Sequence, residues 1–164
     1  MKNIVLIGMP GAGKSTVGVV LAKSMGLSFV DCDLVIQEQT GMLLHELIAK
    51  EGAEGFRQLE NRILTELSAK HSVIATGGSA VYGKEAMRHL RNIGTTVYLE
   101  LSFEAIEDRL GDLKERGVLM RPGQTLRDIY DERVPLYQRY ADYTINCENK
   151  RIREIVSGIS ARLS

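Results

Sequence analysis

Residues 8–15 read GMPGAGKS and are followed by Thr16, which fits the phosphate-loop spacing GxxxxGK[ST]. Each residue type has a chemical reason. Glycines let successive backbone N–H groups across Gly11, Ala12, Gly13, Lys14, Ser15 and Thr16 converge on phosphate oxygens, and a helix starting at 13–16 adds a favourable dipole. Lys14, expected to be exposed in the loop, is the point charge for the β and γ phosphates of ATP or GTP, and the Ser15 hydroxyl is a ligand for Mg²⁺. The competing reading is a structural glycine turn with an exposed lysine. The motif lies between a strand-like run and a helix-like run, as phosphate binding requires.

A phosphate loop does not say what receives the phosphate, so the acceptor chemistry must come from other strand ends. Asp31 and Asp33 follow the second strand-like run; residues two apart on an extended segment project to one side, so both carboxylates can face a cleft. One can hold a metal-bound water and the other can meet an acceptor hydroxyl, although Asp33 can also cap a following helix. Arg57 and Glu60 in FRQLE share a helix face, an arrangement that also describes a solvated surface bridge. Thr76-Gly77-Gly78 would bring bare backbone close to a small ligand, or be only a turn. Arg133 in RVPLY is by itself an ordinary helical arginine.

The elements that must position these residues alternate. Asn3–Ile7 is a short apolar, β-branched run, as in a buried parallel strand. A helix over 14–25 follows, with the apolar positions Val17, Val20, Leu21 and Met25 at helical spacing. Further strands are predicted at 27–30, 73–75, 95–101 and 143–147. Helices are predicted at 34–39, 42–50, 54–70, 84–92, 103–113, 125–139 and 151–163, with Gly41 and Gly52 as punctuation. This βαβα order predicts an α/β fold with a five-stranded parallel sheet covered on both faces. The irregular segment 112–124, with Gly111, Gly117 and Gly123 as hinges, is expected to be a lid that opens without nucleotide.

At 164 residues the chain has room for one domain and little more. Its 44% hydrophobic content supports a packed core and excludes a disordered chain. Twenty-one basic residues balance 21 acidic ones, so no global field attracts nucleic acid or an anionic membrane. No apolar run approaches the ~20 residues of a bilayer span, which predicts a soluble cytoplasmic protein. Cys32 and Cys147 lack metal-ligand spacing and are expected to be reduced thiols, one buried and one near a surface strand. His45, His71 and His89 do not cluster and are expected at surface or boundary positions.

The ordered set GMPGAGKST, DCD, FRQLE, TGG and ERVPLYQRYAD resembles the shikimate kinase family over essentially the whole chain. The resemblance implies a three-layer P-loop NTPase fold formed by 1–164 as one domain, with substrate-binding helices about 34–62 and the lid about 112–124. It implies ATP-dependent, Mg²⁺-requiring phosphorylation of shikimate to shikimate 3-phosphate, in aromatic amino acid (chorismate) biosynthesis, by a monomer. It also assigns residues: Asp33 on the acceptor's hydroxyls, Arg57 and Arg133 on its carboxylate, and Gly77 and Gly78 in backbone contact. Lys14 and Arg116 would serve the transferring phosphate, Arg109 and the segment 146–151 the adenine, and Ser15 and Asp31 the metal. Ser79 stands where the family has a third glycine, and the lid reads Arg116-Gly-Val-Leu, with Arg121 as a second candidate for the lid arginine. A kinase for another carboxylated polyol such as gluconate, or a nucleotide-binding regulatory domain without turnover, stays open on the sequence.

Overall fold

The computed structural model of the protein describes residues 2–110, 118 and 121–163. Five strands, β1 (Asn3–Ile7), β2 (Ser28–Asp31), β3 (Ser72–Ala75), β4 (Gly94–Glu100) and β5 (Tyr143–Asn146), form one parallel sheet in the order β2-β3-β1-β4-β5. Helices α1 (Lys14–Met25), α2 (Cys32–Thr40), α3 (Leu44–Thr65), α4 (Lys84–Ile93), α5 (Phe103–Arg109), α6 (Leu126–Tyr140) and α7 (Ile152–Leu163) connect and cover it. A short 3-10 turn, Ala80–Tyr82, follows β3.

The central position of β1 follows from its composition. All five residues, Asn3 included, are buried, so neither face of the strand meets water and only a doubly covered sheet accommodates it. Each fully buried Ile or Leu there contributes about 1.5–3 kcal/mol relative to exposure. The one polar residue is satisfied: the Asn3 side chain donates to Ala69 O (2.8 Å) and Ile93 O (3.0 Å) and accepts from Ser72 N (2.9 Å). These bonds tie the lower ends of β3 and β4 to β1. At the upper ends, β1 runs into the glycine loop between β3 and β4, where the chain turns to opposite sides and leaves a crevice.

Several expectations are corrected. Val20 is 39% exposed, and Gly18 takes the inward position instead, because a Cβ there would come within 2.6 Å of the Phe29 ring. The two helices expected over 42–50 and 54–70 do meet at a break, Gly52 (φ 73°, ψ 172°), within α3 (Leu44–Thr65); what is corrected is the end, which comes at Thr65 and not at Lys70. Both cysteines are buried, Cys147 included, and burial raises both thiol pKa values. Helix α5 ends at Arg109. Most of the expected lid, with Gly111, Arg116 and Gly117, lies outside the described residues.

A large core joins all five strands, and a smaller cluster of Ile36, Leu47, Phe56 and Ile63 holds α2 against α3. Among the described residues no helix is long and apolar enough to cross a membrane.

Candidate active site

The loop after β1 takes its shape from glycines with positive φ: Gly8 (151°), Gly11 (84°) and Gly13 (92°). Ala12 N donates to Met9 O (3.0 Å), closing the turn, and Gly13 caps α1. Lys14 is not exposed as expected. It is 7% accessible, and its Nζ folds back to donate to Gly8 O (2.7 Å) and Met9 O (2.8 Å). Burial lowers its pKa to about 8, against the opposing pull of Asp33. Arg109 reaches over the loop from the end of α5, with Nη1 3.2 Å from Gly11 O.

Asp31 ends β2 and does two things at once. Its Oδ1 accepts from Asp33 N (2.9 Å) and Leu34 N (3.3 Å), capping α2, while its Oδ2 accepts from the Ser15 hydroxyl (2.9 Å). The helix cap is therefore Asp31 and not Asp33. Among the described residues no group of three or more His, Cys, Asp or Glu side chains gathers as a metal site. Ser15 and Asp31 supply only two hard oxygens, which suits a cation completed by phosphate oxygens and water.

Freed from capping, Asp33 turns towards β3. A Cβ on Gly77 would lie 2.7 Å from Asp33 Oδ1 and 3.2 Å from Glu60 Oε2, so only glycine lets both carboxylates approach this backbone. Gly78 is confined in the same way, by Pro10 Cδ at 2.6 Å and Arg133 Nη1 at 3.0 Å from its hypothetical Cβ. The Thr76-Gly77-Gly78 stretch is thus a surface built for close approach. Burial raises the pKa of Asp33, with Asp31 adding to the effect and Lys14 opposing it.

Arg133 is 1% exposed. Its Nε donates to the Tyr82 hydroxyl (3.2 Å), which in turn donates to Glu132 (2.6 Å). Tyr137, one turn further along α6, donates to Gly78 O at 2.6 Å. The Arg57 guanidinium carbon stands over the Tyr82 ring, 3.9 Å from its centre, and the side chain pairs with Glu54 at 3.5 Å. Its expected partner Glu60 is instead buried, accepting from Ser79.

One recess of about 330 Å³ brings most of these groups together. Pro10, Gly11 and Gly13 to Thr16 form one side; Asp33, Glu60, Thr76 to Ser79 and Arg133 form the other. Arg57 stands in an adjoining niche with Tyr82, Arg121 and Glu132. Arg121 is engaged there, with Nη2 2.9 Å from Glu132 Oε1. The larger recess, about 890 Å³, lies at the other end of the sheet beside Gly94 and Thr95 and contains none of these residues.

Sequence reasoning missed Tyr82, Tyr137 and Glu132, which hold the two arginines, and underrated Glu60 and Ser79. Tyr137 carried a signal, standing one helical turn after Arg133. Tyr82 and Glu132 are separated by 50 positions, and nothing local pairs them.

The sequence model of the shikimate kinase family matches residues 10–164. The shikimate kinase of Vibrio parahaemolyticus serotype O3:K6 is 38% identical over 161 residues, covering 96% of this chain and 94% of that one. The solved structure of shikimate kinase from Acinetobacter baumannii in complex with shikimate superposes with a TM-score of 0.90 at 37% identity, covering 99% of this chain and 93% of the other. That of Aquifex aeolicus gives 0.83 at 36% identity, over 98% and 95%. With likeness of sequence and of fold extending over nearly the full length, and a glycine loop facing a carboxylate and a buried arginine across one recess, the chain belongs to the shikimate kinase family.

Proposed function

We propose that the chain transfers the γ-phosphoryl group of ATP to the 3-hydroxyl of shikimate. The observation that carries this is the shared recess, in which the phosphate loop faces Asp33, Gly77, Gly78 and Arg133. The acceptor carries a carboxylate and several hydroxyls. A buried guanidinium suits the first and a carboxylate suits the second. That the Acinetobacter baumannii relative was solved with shikimate agrees with this acceptor.

In the reaction, the acceptor oxygen forms a bond to the γ-phosphorus as the bond from that phosphorus to the β–γ bridging oxygen breaks. ADP leaves, and the hydroxyl proton passes towards Asp33. Phosphoryl transfer asks chiefly for positioning and charge stabilisation. Arg133, held by Tyr82, and Arg57 on the same ring orient the acceptor carboxylate, while Gly77 and Gly78 let Asp33, Glu60 and Arg133 close on the backbone beside the acceptor. Lys14 exchanges its two loop carbonyls for phosphate oxygens. Ser15 and Asp31 would hold Mg²⁺, which neutralises phosphate charge when bound. Arg109 lies on the nucleotide side. Arg121 is engaged by Glu132, which leaves Arg116 as the lid arginine.

A coupled ADP-release assay with shikimate, quinate and gluconate tests the assignment. Release with shikimate, at least tenfold faster than with the other two, is expected. Preference for gluconate would make the chain a kinase of a different polyol acid, and release with none would make it a nucleotide-binding domain without turnover.

A further inference from the structure

Ser79 is buried at 7% accessibility just after the two glycines of the acceptor surface, and its hydroxyl donates to Glu60 Oε1 at 2.6 Å. Glu60 is 2% accessible and approaches the chain at Gly77 through its other oxygen, beside Asp33. The two carboxylates reach the same bare backbone from different helices, α3 and α2. Nothing covalent ties Ser79 to α3; the short hydrogen bond is the connection.

We infer that Ser79 is a positioning residue for the acceptor: its hydroxyl holds one oxygen of the buried Glu60 carboxylate so that the other faces the recess next to Asp33, as an acceptor for a substrate hydroxyl. This rests on the recess being the acceptor site. The role differs from that of Gly77 and Gly78, which leave room. Ser79 has a negative φ (φ −92°, ψ −1°), so the backbone does not demand glycine at this position.

The charge of Glu60 makes the arrangement measurable. Burial pushes its pKa up to about 7, and the Ser79 hydrogen bond acts in the opposite sense by favouring the anion. The charged and titratable groups facing it are Arg57 on its own helix, Asp33 and Cys32 on α2, Lys14 on α1, and Arg133 and Tyr137 on α6. Asp33 raises the value, and Arg133 and Arg57 lower it. Substituting Ser79 leaves all of these in place and removes one donor. Glu60 must then hold its proton to higher pH.

The test is a pH series of kcat/KM for shikimate, which reports groups of the free enzyme, paired with a ¹³C carboxyl NMR titration of Glu60. In the unmutated protein kcat/KM should rise through about pH 7 as Glu60 ionises. In Ser79→Ala both the kinetic limb and the NMR midpoint should move to the alkaline side. Acceptor kcat/KM should then fall several-fold below pH 7 and recover above it, with the KM for ATP unchanged. Ser79→Thr, which keeps the hydroxyl, should restore the midpoint. If the alanine variant fails to fold, Ser79→Cys, a weaker donor of similar size, should give an intermediate midpoint. A Glu60 midpoint in the ordinary carboxylate range, or one that ignores Ser79, overturns the inference even while shikimate is phosphorylated. An unmutated protein that does not phosphorylate shikimate removes the acceptor assignment instead, and with it the positioning role. The NMR midpoint needs no turnover and tells the two failures apart.

Discussion

Arg57 and Arg133 carry the same charge in different surroundings, and the difference predicts different variants. Arg133 is 1% exposed and packed between Tyr82 and Gly78, whereas the Arg57 side chain is 24% exposed and lies on the ring surface. Either change to Ala should lower acceptor kcat/KM by about 2–5 kcal/mol in transition-state terms, with ATP affinity nearly constant. Only Arg133→Ala should also lower the melting temperature clearly, since truncating a fully buried side chain leaves a hole between Tyr82 and Gly78; Lys at either site should rescue poorly. Equal losses for ATP and acceptor would show that the arginines serve something else. Glu60 supports a second prediction at this scale. Its folded pKa of about 7 lies above the ordinary value of 4.5, so the neutral acid stabilises the fold below pH 4.5, and this contribution disappears as pH rises through 7. The difference amounts to at most about 3 kcal/mol. Glu60→Gln should therefore raise the thermal midpoint at about pH 8 and change it little at about pH 4.5. An equal change at both would place the effect in packing and not in charge.

Helix α3 needs its break. Leu47 and Phe56 both enter the small cluster with Ile36 and Ile63, yet at 3.6 residues per turn they stand about two and a half turns apart, on opposite faces of a continuous helix. The break at Gly52 re-aims the second half so that Phe56, Glu60 and Ile63 face inward with Leu47. Its φ of 73° and ψ of 172° are essentially a glycine conformation. No atom lies within 4 Å of a Cβ built there, so the cost of Gly52→Ala is purely backbone strain, about 1–3 kcal/mol. The variant should melt earlier and lose acceptor kcat/KM with little change in the KM for ATP. Unchanged stability and turnover would show that α3 can place Phe56, Glu60 and Ile63 without the break.

At the scale of the whole molecule, one core reaches all five strands, and the α2–α3 cluster is a small satellite resting on it. The chain should unfold as a single cooperative unit, with equal calorimetric and van't Hoff enthalpies. Within that unit the amides of α2 and the first half of α3 should exchange faster than those of β1, because few buried apolar contacts hold them. ATP and shikimate together should slow that exchange and, at a hundred times Kd, add about 2.7 kcal/mol per ligand. Two separate melting transitions would instead make α2 and α3 an independent folding unit.

Local signals were enough for the alternating strands and helices and for the glycine loop. The apolar run of β1, the glycines at 8, 11 and 13 and the helical spacing after Lys14 act over a few residues, where chain geometry is set by the residues themselves. The ordered motifs likewise marked Asp33, Arg57, Gly77, Gly78 and Arg133. Other features are relations between distant positions. The inward fold of Lys14 depends on which carbonyls the glycine loop presents, and the hydrogen bond from Ser15 to Asp31 joins the ends of two different elements. Arg57 lies on Tyr82 and Glu60 receives Ser79 because α3, β3 and α6 converge above the sheet, joining positions 19 to 51 residues apart. Burial is a property of that convergence. The shifted acidities of Lys14 and Glu60 therefore arise only in the folded chain, where the packing excludes the water that would otherwise hold each group at its ordinary value.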